Sequence, residues 1–253
     1  MTAGGRLFLI PAPLDFGCAT QAPLQDVMPE ATLRQAAQLS HWICENAKST
    51  RAYLKRIDAL HSLVAPLQQL SLRELPRELH KKGDHQLDFD ARPLLHDTLA
   101  GHDTGLVSEA GMPAIADPGA SVVRAAHALG LQVVPMVGPV SIVLALAASG
   151  LNGQSFAFNG YLPQDPAGRA LRVRALEKIA LTQHQTQVFI EVPFRNAALL
   201  QTLLAALAPS TRLAVSAGIS LPSARARSAT VAEWRQPGWA PDNRTPAVFA
   251  IGK

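Results

Sequence analysis

The sequence has few of the residues that build disulfide frameworks, metal centres or aromatic recognition surfaces. Among 253 residues there are 2 Cys, 2 Tyr and 3 Trp. Cys18 and Cys44 are too few for a disulfide framework, so we predict small buried thiols in a reducing, cytoplasmic setting. No metal is expected, because neither Cys has a Cys/His cluster nearby, and His80 and His85 match no metal-ligand spacing. The scarcity of aromatics argues against a stacking platform for single-stranded bases.

The chain also lacks the common nucleotide-binding fingerprints and a clear membrane segment. It contains no G-x-G-x-x-G and no P-loop, so a classical Rossmann cofactor site is not indicated. The apolar run at residues 7–10 is far too short for a signal peptide. Residues 133–151 carry no charge and are long enough to span a bilayer, but Pro135 and Gly138 favour a strand, a turn and a buried helix.

What is present is a large apolar fraction and a modest positive charge. With 48% hydrophobic residues, the chain can bury a substantial core in one large domain or two. A net charge of +4 is compatible with an anionic partner without identifying one. The basic residues fit either solvated helix faces or contacts with an RNA backbone. They form three groups: Lys48, Arg51, Lys55 and Arg56; Arg169, Arg172, Arg174 and Lys178; and Arg225, Arg227 and Arg235.

Two segments, residues 106–119 and 133–151, carry the strongest local signal. In each, a short apolar run ends abruptly in Gly, Pro and small polar residues. This pattern is typical of a buried parallel strand that delivers a loop to the carboxyl edge of a sheet, where ligands bind in open α/β folds. The helical spacing of residues 121–130 predicts a right-handed crossover between the two strands. We therefore expect both loops to form one crevice.

The rest of the chain alternates strand and helix patterns, which predicts an α/β fold in both halves. The composition shifts near Gly150, so we predict domains at residues 1–150 and 151–253. Residues 63–90 are the least regular, with a polar loop predicted at 80–85. Strands are predicted at 7–10, 104–108, 131–136, 188–192, 213–217 and 248–251, and helices at 47–57, 93–100, 121–130, 142–149, 169–180 and 197–207.

Several motifs, taken in order, resemble one family. They are L-V-S-E-A-G-M-P-A-I-A-D-P-G at 106–119, V-P-M-V-G-P-V-S at 134–141 and F-N-G-Y-L-P at 158–163. Together they resemble the tetrapyrrole methylase superfamily, the class III S-adenosylmethionine-dependent methyltransferases, and within it the ribosomal RNA small-subunit 2′-O-ribose methyltransferase branch. Weaker similarity extends the resemblance nearly end to end, at residues 7–14, 43–57, 188–196 and 245–252.

The resemblance implies two α/β domains with an S-adenosylmethionine cleft between them, usually in a homodimer. The first domain would carry the substrate side and part of the cofactor site, and the second would complete the cofactor pocket. A ribosomal RNA acceptor is implied, with no membrane and no DNA. Two alternatives stay open: a methyltransferase for a small molecule such as a tetrapyrrole, and a non-catalytic RNA-binding protein that retains the fold.

The resemblance also assigns residues to the cofactor. Small residues in these loops would allow the backbone to approach a ligand closely. Cofactor binding is expected at Ser108, Glu109, Ala110, Gly111, Met112, Pro113 and Ile115, at Gly138, Pro139 and Ser141, and in the second domain at Glu191, Pro193, Phe194, Pro246 and Ala247. Pro11, Pro13, Asp15 and Arg51 are expected on the substrate side.

Methyl transfer from a sulfonium releases a neutral thioether, so positioning supplies most of the acceleration. A ribose hydroxyl nucleophile would also gain from a general base. The candidate bases are Glu45, Glu109, Asp15 and Glu191. Glu45 is the first choice, because it lies in the segment that resembles the Glu-containing helix start of the family.

The chain departs from the family pattern at several positions. Asn46 and Glu109 stand where Asp is usual, and Met112 stands where Thr is usual. Leu14-Asp15-Phe16 replaces the small Gly-Asn pair expected after Pro13. These departures leave the prediction of a cofactor site unchanged. They weigh against a ribosomal RNA acceptor, whereas the basic helices favour it.

Overall fold

The computed structural model describes residues 4–82, 84 and 89–253 and divides the chain into two compact units. The first unit contains residues 4–17 and 21–140, and the second contains residues 18–20 and 141–253. The content is mixed α/β, with one sheet in each unit, which confirms the predicted fold class.

The first unit is built on a five-stranded parallel sheet. Its strands are β1 (Leu7–Leu9), β2 (His41–Cys44), β3 (Ser71–Glu74), β4 (Thr104–Val107) and β5 (Val133–Pro135), in the order β3-β2-β4-β1-β5. Strand β1 lies between β4 and β5 and is parallel to both. The loops after β4 and β5 therefore leave the same edge of the sheet, as predicted. The loop after β1 emerges between them.

Helices cover both faces of this sheet. They are α1 (Leu24–Val27), α2 (Glu30–Ala37), α3 (Ala47–Asp58), α4 (Arg77–Lys82), α5 (His96–Leu99) and α6 (Ala120–Ala128), with 3₁₀ turns at Leu67–Gln69 and Arg92–Leu95. Because side chains alternate along a strand, Trp42 and Val107 join a core with α2 and α3, while Ile43 and Leu106 join a separate core with α6. This double covering explains why the inner strands of the sheet are rich in apolar residues, unlike the edge strand β3.

The segment predicted to be irregular is more ordered than expected. It contains β3 and α4, and residues 80–82, which were predicted to lie in a polar loop, form the last turn of α4. The residues of β3 are half-buried or exposed at the sheet edge, so their sequence lacks the apolar run that revealed the other strands. Gly83 and His85 lie outside the described residues.

The second unit has a mixed sheet. Its elements are α7 (Ser141–Ser149), β6 (Phe156–Tyr161), α8 (Pro166–Gln183), β7 (Thr186–Glu191), α9 (Asn196–Ala206), β8 (Arg212–Ala217), β9 (Arg225–Thr230), α10 (Val231–Trp234) and β10 (Ala247–Gly252). The order is β6-β7-β10-β8-β9, and only β6 and β7 pair in parallel. Strand β9 was not predicted, because R-A-R-S-A-T has no apolar face and was interpreted only as a basic group.

The predicted junction near Gly150 needs correction. Helix α7 buries Ile142, Ala145 and Leu146 and packs against β8, β9 and β10. It therefore belongs to the second unit, and the division falls between Val140 and Ser141. Local sequence could not show this, since an apolar helix can bury its face against either sheet.

The two cysteines differ. Cys44 is fully buried as predicted, and burial raises the pKa of its thiol to about 11. Cys18 is only half-buried.

Among the described residues, no helix has both the length and the apolar character needed to cross a membrane.

Candidate functional site

Three loops meet at the carboxyl edge of the first sheet: the β1 loop (residues 10–17), the β4 loop (residues 108–119) and the β5 loop (residues 136–140). Ala12 and Gly111 exchange two backbone hydrogen bonds of 2.8 and 2.9 Å. A Cβ placed on Gly138 would lie 2.2 Å from Cγ of Pro11. The sequence predicted the β4 and β5 loops side by side, and the β1 loop joins them because β1 is the strand between.

These contacts give Gly111 and Gly138 a structural role in addition to the predicted one. The N–H and C=O of Gly111 both bond to Ala12, and Gly111 has a φ of +72° that disfavours other residues. Gly138 makes room for the Pro11 ring. Both glycines were predicted to allow close approach of a ligand to the backbone. In the structure they also allow the three loops to approach one another, and their contact with a cofactor stays a prediction.

The β4 loop is held in a strained path. Ala114 and Ala116 both have a φ of +66°, where an alanine costs roughly 1–2 kcal/mol. Non-glycine residues in this region persist only where the surroundings hold them, and they cluster at functional sites. The loop conformation is therefore imposed by tertiary contacts.

Asp84 holds the far end of this loop. Its buried carboxylate accepts hydrogen bonds from Gly119 N at 2.8 Å, Ser121 N at 2.7 Å and Ser121 Oγ at 2.7 Å. Burial tends to raise the pKa of Asp84, but the hydrogen bonds from Ser121 and Gly119 outweigh it and lower the pKa. The carboxylate caps the start of α6, a role that the sequence did not reveal because Asp84 is distant along the chain.

Glu45, the predicted base, lies where β2 ends. Its Oε2 accepts a hydrogen bond of 3.1 Å from the backbone N of Glu109, and its own N donates to Val107 O at 3.2 Å. Ser49 Oγ donates to Glu109 Oε1 at 3.2 Å. The structure thus brings two of the four candidate carboxylates together. Asn46, the departure from Asp, still caps α3 by accepting from Lys48 N at 2.9 Å.

Asp117 adds a third carboxylate that sequence reasoning missed. Burial, followed by the negative charges of Glu45 and Glu109, raises the pKa of Asp117 to about 7. Asp117-Pro118-Gly119 was interpreted only as the turn that ends the loop. The sequence feature that could have pointed to Asp117 is that it is a second carboxylate in the same loop as Glu109. Near neutral pH, Asp117 can therefore hold or release a proton.

The raised pKa of Asp117 makes a prediction for stability. The folded carboxyl titrates near pH 7, against an ordinary value of 3.8, so the folded state binds a proton more tightly than the unfolded state. Stability should therefore fall as pH rises from about 4 to about 7, by at most roughly 4 kcal/mol. Asp117→Asn should remove this loss. Urea unfolding at pH 5 and pH 8 should show a smaller pH difference in the variant, and equal differences would contradict the assignment.

A cavity of about 750 Å³ lies between the β1 loop and α3. It is bounded by backbone, small and charged side chains from both elements and from the start of the β4 loop. The lining residues are Ala12, Pro13, Asp15, Phe16, Gly17, Gln21, Asn46, Lys48, Ser49, Thr50, Ala52, Tyr53, Lys55, Arg56, Ala59, Ser108 and Glu109. All of them belong to the first unit.

The wall of this cavity is fixed by two buried contacts. Asp15 is buried, and its two carboxylate oxygens accept from Arg56 at 3.0 and 3.1 Å. Tyr53 donates its hydroxyl to Pro11 O at 3.0 Å, and burial raises its pKa, so it stays a proton donor. Asp15 therefore anchors the β1 loop to α3 through Arg56, an arrangement that leaves it poorly placed to act as a base.

The other residues predicted on the substrate side fall in different places. Pro13 lines the cavity, and Pro11 is buried against Gly138. Arg51 is exposed and is not among the lining residues. Ser108 is buried in the cavity wall, and its Oγ has no hydrogen-bond partner among the residues that the structure describes.

The remaining residues predicted for the cofactor in the first unit lie in the β4 and β5 loops and differ in burial. Ala110, Met112 and Pro139 are half-buried, Pro113 is buried, and Ile115 is 44% exposed. Their small or apolar side chains suit an adenine or a thioether chain. Glu45, Glu109 and Asp117 suit a positively charged sulfonium and ammonium. The donor set of the first unit therefore fits S-adenosylmethionine.

In the second unit, the predicted residues gather at one end of the sheet. Glu191 ends β7 and is a register partner of Ala247, which begins β10. Pro193 and Phe194 follow in a 3₁₀ turn at Pro193–Arg195, and Pro246 O accepts from Gly218 N at 2.9 Å. Ser141 is the first residue of α7. Glu191 Oε1 is bound by Arg195 at 3.0 Å, which weakens its candidacy as a base.

The third basic group is largely structural. Arg227 donates to the carbonyls of Trp239 and Glu233 and stacks over the ring of Trp234 at 4.1 Å. Arg235 donates to Leu204 O at 2.7 Å. These cations satisfy backbone acceptors within the second unit.

Within the described part of the chain, no group of three or more His, Cys, Asp or Glu residues is arranged to hold a metal.

Comparison with known proteins gave relatives in sequence, although no family model matches the chain. A ribosomal RNA small subunit methyltransferase I from Pseudomonas aeruginosa is 43% identical over 95 residues, which is 38% of this chain and 32% of that protein. One from Halalkalibacterium halodurans is 33% identical over 193 residues, which is 76% of this chain and 56% of that protein. The chain spans about half the length of the curated relatives it matches.

Solved structures share the fold. The methyltransferase CobJ matches with a TM-score of 0.58 and 16% identity, over 98% of this chain and 94% of that one. Uroporphyrin-III-C-methyltransferase from Thermus thermophilus matches with a TM-score of 0.54 and 21% identity, also over 98% and 94%. At these identities the match shows the fold alone.

Proposed function

We propose that this chain, which has the fold and the ordered motifs of the tetrapyrrole methylase superfamily, is an S-adenosylmethionine-dependent methyltransferase acting on a ribose hydroxyl of ribosomal RNA. The observation that carries the proposal is the meeting of the β1, β4 and β5 loops, with the Glu45–Glu109 contact beside them, at one edge of a parallel sheet. Sequence similarity to ribosomal RNA small subunit methyltransferase I supports the acceptor. The resemblance further proposes a cytoplasmic homodimer, whose mass light scattering would test.

The first unit supplies the groups that this reaction needs. S-adenosylmethionine, when bound, supplies a methyl group on a sulfonium that leaves as a neutral thioether. Ala110, Met112, Ile115 and Pro139 would line its apolar parts, and the carboxylates would face its positive charge. The roles expected of Ser141, Glu191, Pro193, Phe194, Pro246 and Ala247 stay predictions.

Glu109 and Glu45 have different roles in the proposed reaction. Glu109 lines the cavity, so in this proposal it takes the proton from the acceptor hydroxyl. Glu45 was predicted as the base, but its Oε2 is engaged by the backbone N of Glu109. We therefore assign Glu45 a positioning role, in which it holds the start of the β4 loop. Ser49 orients the Glu109 carboxylate through a hydrogen bond of 3.2 Å.

This division predicts different results for matched variants. Glu45→Gln keeps an oxygen that can accept from Glu109 N, so it should retain most of the methyl-transfer rate, whereas Glu45→Ala should lose it. Glu109→Gln should lower kcat by about 10²–10⁴-fold and remove the acidic limb of the pH–rate profile. If Glu45→Gln is as inactive as Glu45→Ala and Glu109→Gln is active, Glu45 is the base and the roles are reversed.

The direct test is methyl transfer. The purified chain, labelled S-adenosylmethionine and small-subunit ribosomal RNA or assembled subunits should yield a 2′-O-methylated nucleoside, identified by mass spectrometry after digestion. Cofactor binding by calorimetry separates an enzyme from a non-catalytic RNA-binding protein. Binding of cofactor without methylation of any RNA would contradict the acceptor.

A small-molecule acceptor is the second candidate. The β1 loop carries Leu14-Asp15-Phe16 where the resembling pattern has small residues, and the cavity behind it is large enough for a small ligand. One structural neighbour is named a uroporphyrin-III-C-methyltransferase. Methylation of a tetrapyrrole under the same conditions, with no methylation of RNA, would favour this acceptor.

A further inference from the structure

The cavity beside α3 has the dimensions of a groove. Its lining follows the helix from Asn46 to Ala59, which corresponds to about 20 Å along the helix axis at 1.5 Å per residue. The β1 loop contributes Pro13, Asp15 and Phe16 to the lining. An extended ligand therefore fits this shape better than a compact one.

The charge along the groove is positive. Asp15 and Arg56 neutralise each other, so the remaining lining charges are Lys48, Lys55 and Glu109. Lys48 and Lys55 are exposed and make no ion pair with any described residue. They lie seven residues apart on one helix, about 10 Å along its axis. Two unpaired ammonium groups at this spacing suit successive negative charges of an extended chain.

The inner end of the groove holds an unsatisfied polar atom. Ser108 is 5% exposed, and its Oγ lacks a partner within the described part of the chain. Buried hydroxyls without a partner are uncommon, because the lost hydrogen bond is costly. Ser108 shares this end with Glu109 and Asn46. A ribose hydroxyl can both donate and accept, and so could satisfy Ser108 beside the carboxylate.

We propose that the groove between the β1 loop and α3 binds a short single-stranded segment of the RNA, with Lys48 and Lys55 on its phosphates and Ser108 Oγ on a ribose hydroxyl of the acceptor nucleotide. This inference rests on the proposed function and assigns the residues that select RNA. Phe16, which is 47% exposed, also belongs to the lining of the groove. Arg51, the sequence-predicted contact on this helix, is not part of the assignment.

The first experiment tests the phosphate contacts. Lys48→Ala/Lys55→Ala should weaken binding of small-subunit ribosomal RNA by about 10–100-fold at 0.1 M salt and flatten the slope of log affinity against log salt by about 1.4–1.8. Arg34→Ala/Arg77→Ala removes the same charge elsewhere in the first unit and should have little effect. Cofactor affinity should be unchanged in both. Lys48→Arg/Lys55→Arg should keep RNA affinity, which controls for folding.

The second experiment tests the ribose contact. Wild type should bind an oligoribonucleotide from the same RNA more tightly than the oligodeoxyribonucleotide of the same sequence, by about 5–10-fold for one hydrogen bond. Ser108→Ala should remove this preference. Because Ser108 was also predicted to bind the cofactor, cofactor affinity is measured in the same variant and should be unchanged if Ser108 contacts the ribose instead. If Ser108→Ala weakens cofactor binding and keeps the preference for ribose, Ser108 belongs to the cofactor site and the ribose assignment is overturned.

These outcomes separate the groove from the wider function. Suppose that wild type methylates RNA and that Lys48→Ala/Lys55→Ala binds and methylates RNA as well as Arg34→Ala/Arg77→Ala does. The groove proposal then fails and the methyltransferase proposal stands. If wild type binds S-adenosylmethionine but neither binds nor methylates RNA, the acceptor and the groove proposal both fail. If Lys48→Ala/Lys55→Ala weakens RNA binding as expected but wild type methylates no RNA, the groove proposal stands and the chain is an RNA-binding protein instead.

Discussion

Gly138→Ala is expected to abolish the proposed methyl transfer. The new Cβ would lie 2.2 Å from Cγ and 2.6 Å from Cβ of Pro11, well inside van der Waals contact. The proline ring is rigid and buried, so it cannot rotate away, and the β5 loop must move off the β1 loop. The shift would spoil the proposed cofactor surface at Pro139, and overpacking of this kind also costs about 1–3 kcal/mol of stability.

The matched control is Gly153→Ala. A Cβ on Gly153 would meet no atom within 4 Å, so activity and stability should be unchanged. Calorimetry with S-adenosylmethionine, methyl-transfer rates and urea unfolding should be measured for both variants. If Gly138→Ala folds, binds the cofactor and turns over like wild type, the contact of the β1 and β5 loops does not shape the site.

Arg56→Ala should strongly destabilise the first unit. It leaves the buried Asp15 carboxylate without its bidentate partner and removes the bond of 2.7 Å from Arg56 to Ala22 O. Breaking a buried pair by removing one partner typically costs about 3–5 kcal/mol. Arg56 is partly exposed, so the lower end of this range is expected. Urea unfolding measures the loss.

Two further variants test whether the loss comes from the unpaired Asp15 carboxylate. Arg34→Ala breaks the exposed pair with Glu30 and should change stability by about 0.5 kcal/mol or less. Asp15→Ala/Arg56→Ala removes both charges and should recover part of the stability lost in Arg56→Ala, because no carboxylate is left unpaired. An Arg56→Ala loss as small as that of Arg34→Ala would mean that solvent, and not Arg56, compensates Asp15.

The sequence identified the elements whose pattern is local. Residues 104–108 and 131–136 were predicted to be buried strands because apolar residues run together and end in glycine and proline. Both strands are present, and β4 is buried as predicted, but β5 is an edge strand whose residues are half-buried or exposed. Helix α3 was recognised from its spacing and starts at the Asn46 cap. The same logic missed β3, β6 and β9, which lie at sheet edges and whose sequences lack a continuous apolar run.

The candidate site was predictable only in part. The motif order placed Glu109, Gly111 and Gly138 in adjoining loops, because parallel strands deliver their loops to one edge. The chain could not indicate that Glu45 would hold Glu109, that Asp84 would cap α6, or that Arg56 would neutralise Asp15. Each of these contacts joins residues far apart in sequence, and no short-range pattern encodes such a pairing.

The sequence by itself therefore determined the sheet edge, the loops that leave it and the family that they resemble, since apolar periodicity and turn residues act over a few neighbours. Only the tertiary structure decided which polar groups are paired. In the folded chain, Asp15 and Gly111 hold loops together through their contacts with Arg56 and Ala12. The fold also raises the pKa of Asp117 and leaves Ser108 Oγ without a partner among the described residues. Burial and charge proximity depend on the whole fold, and they decide which side chains remain available for chemistry.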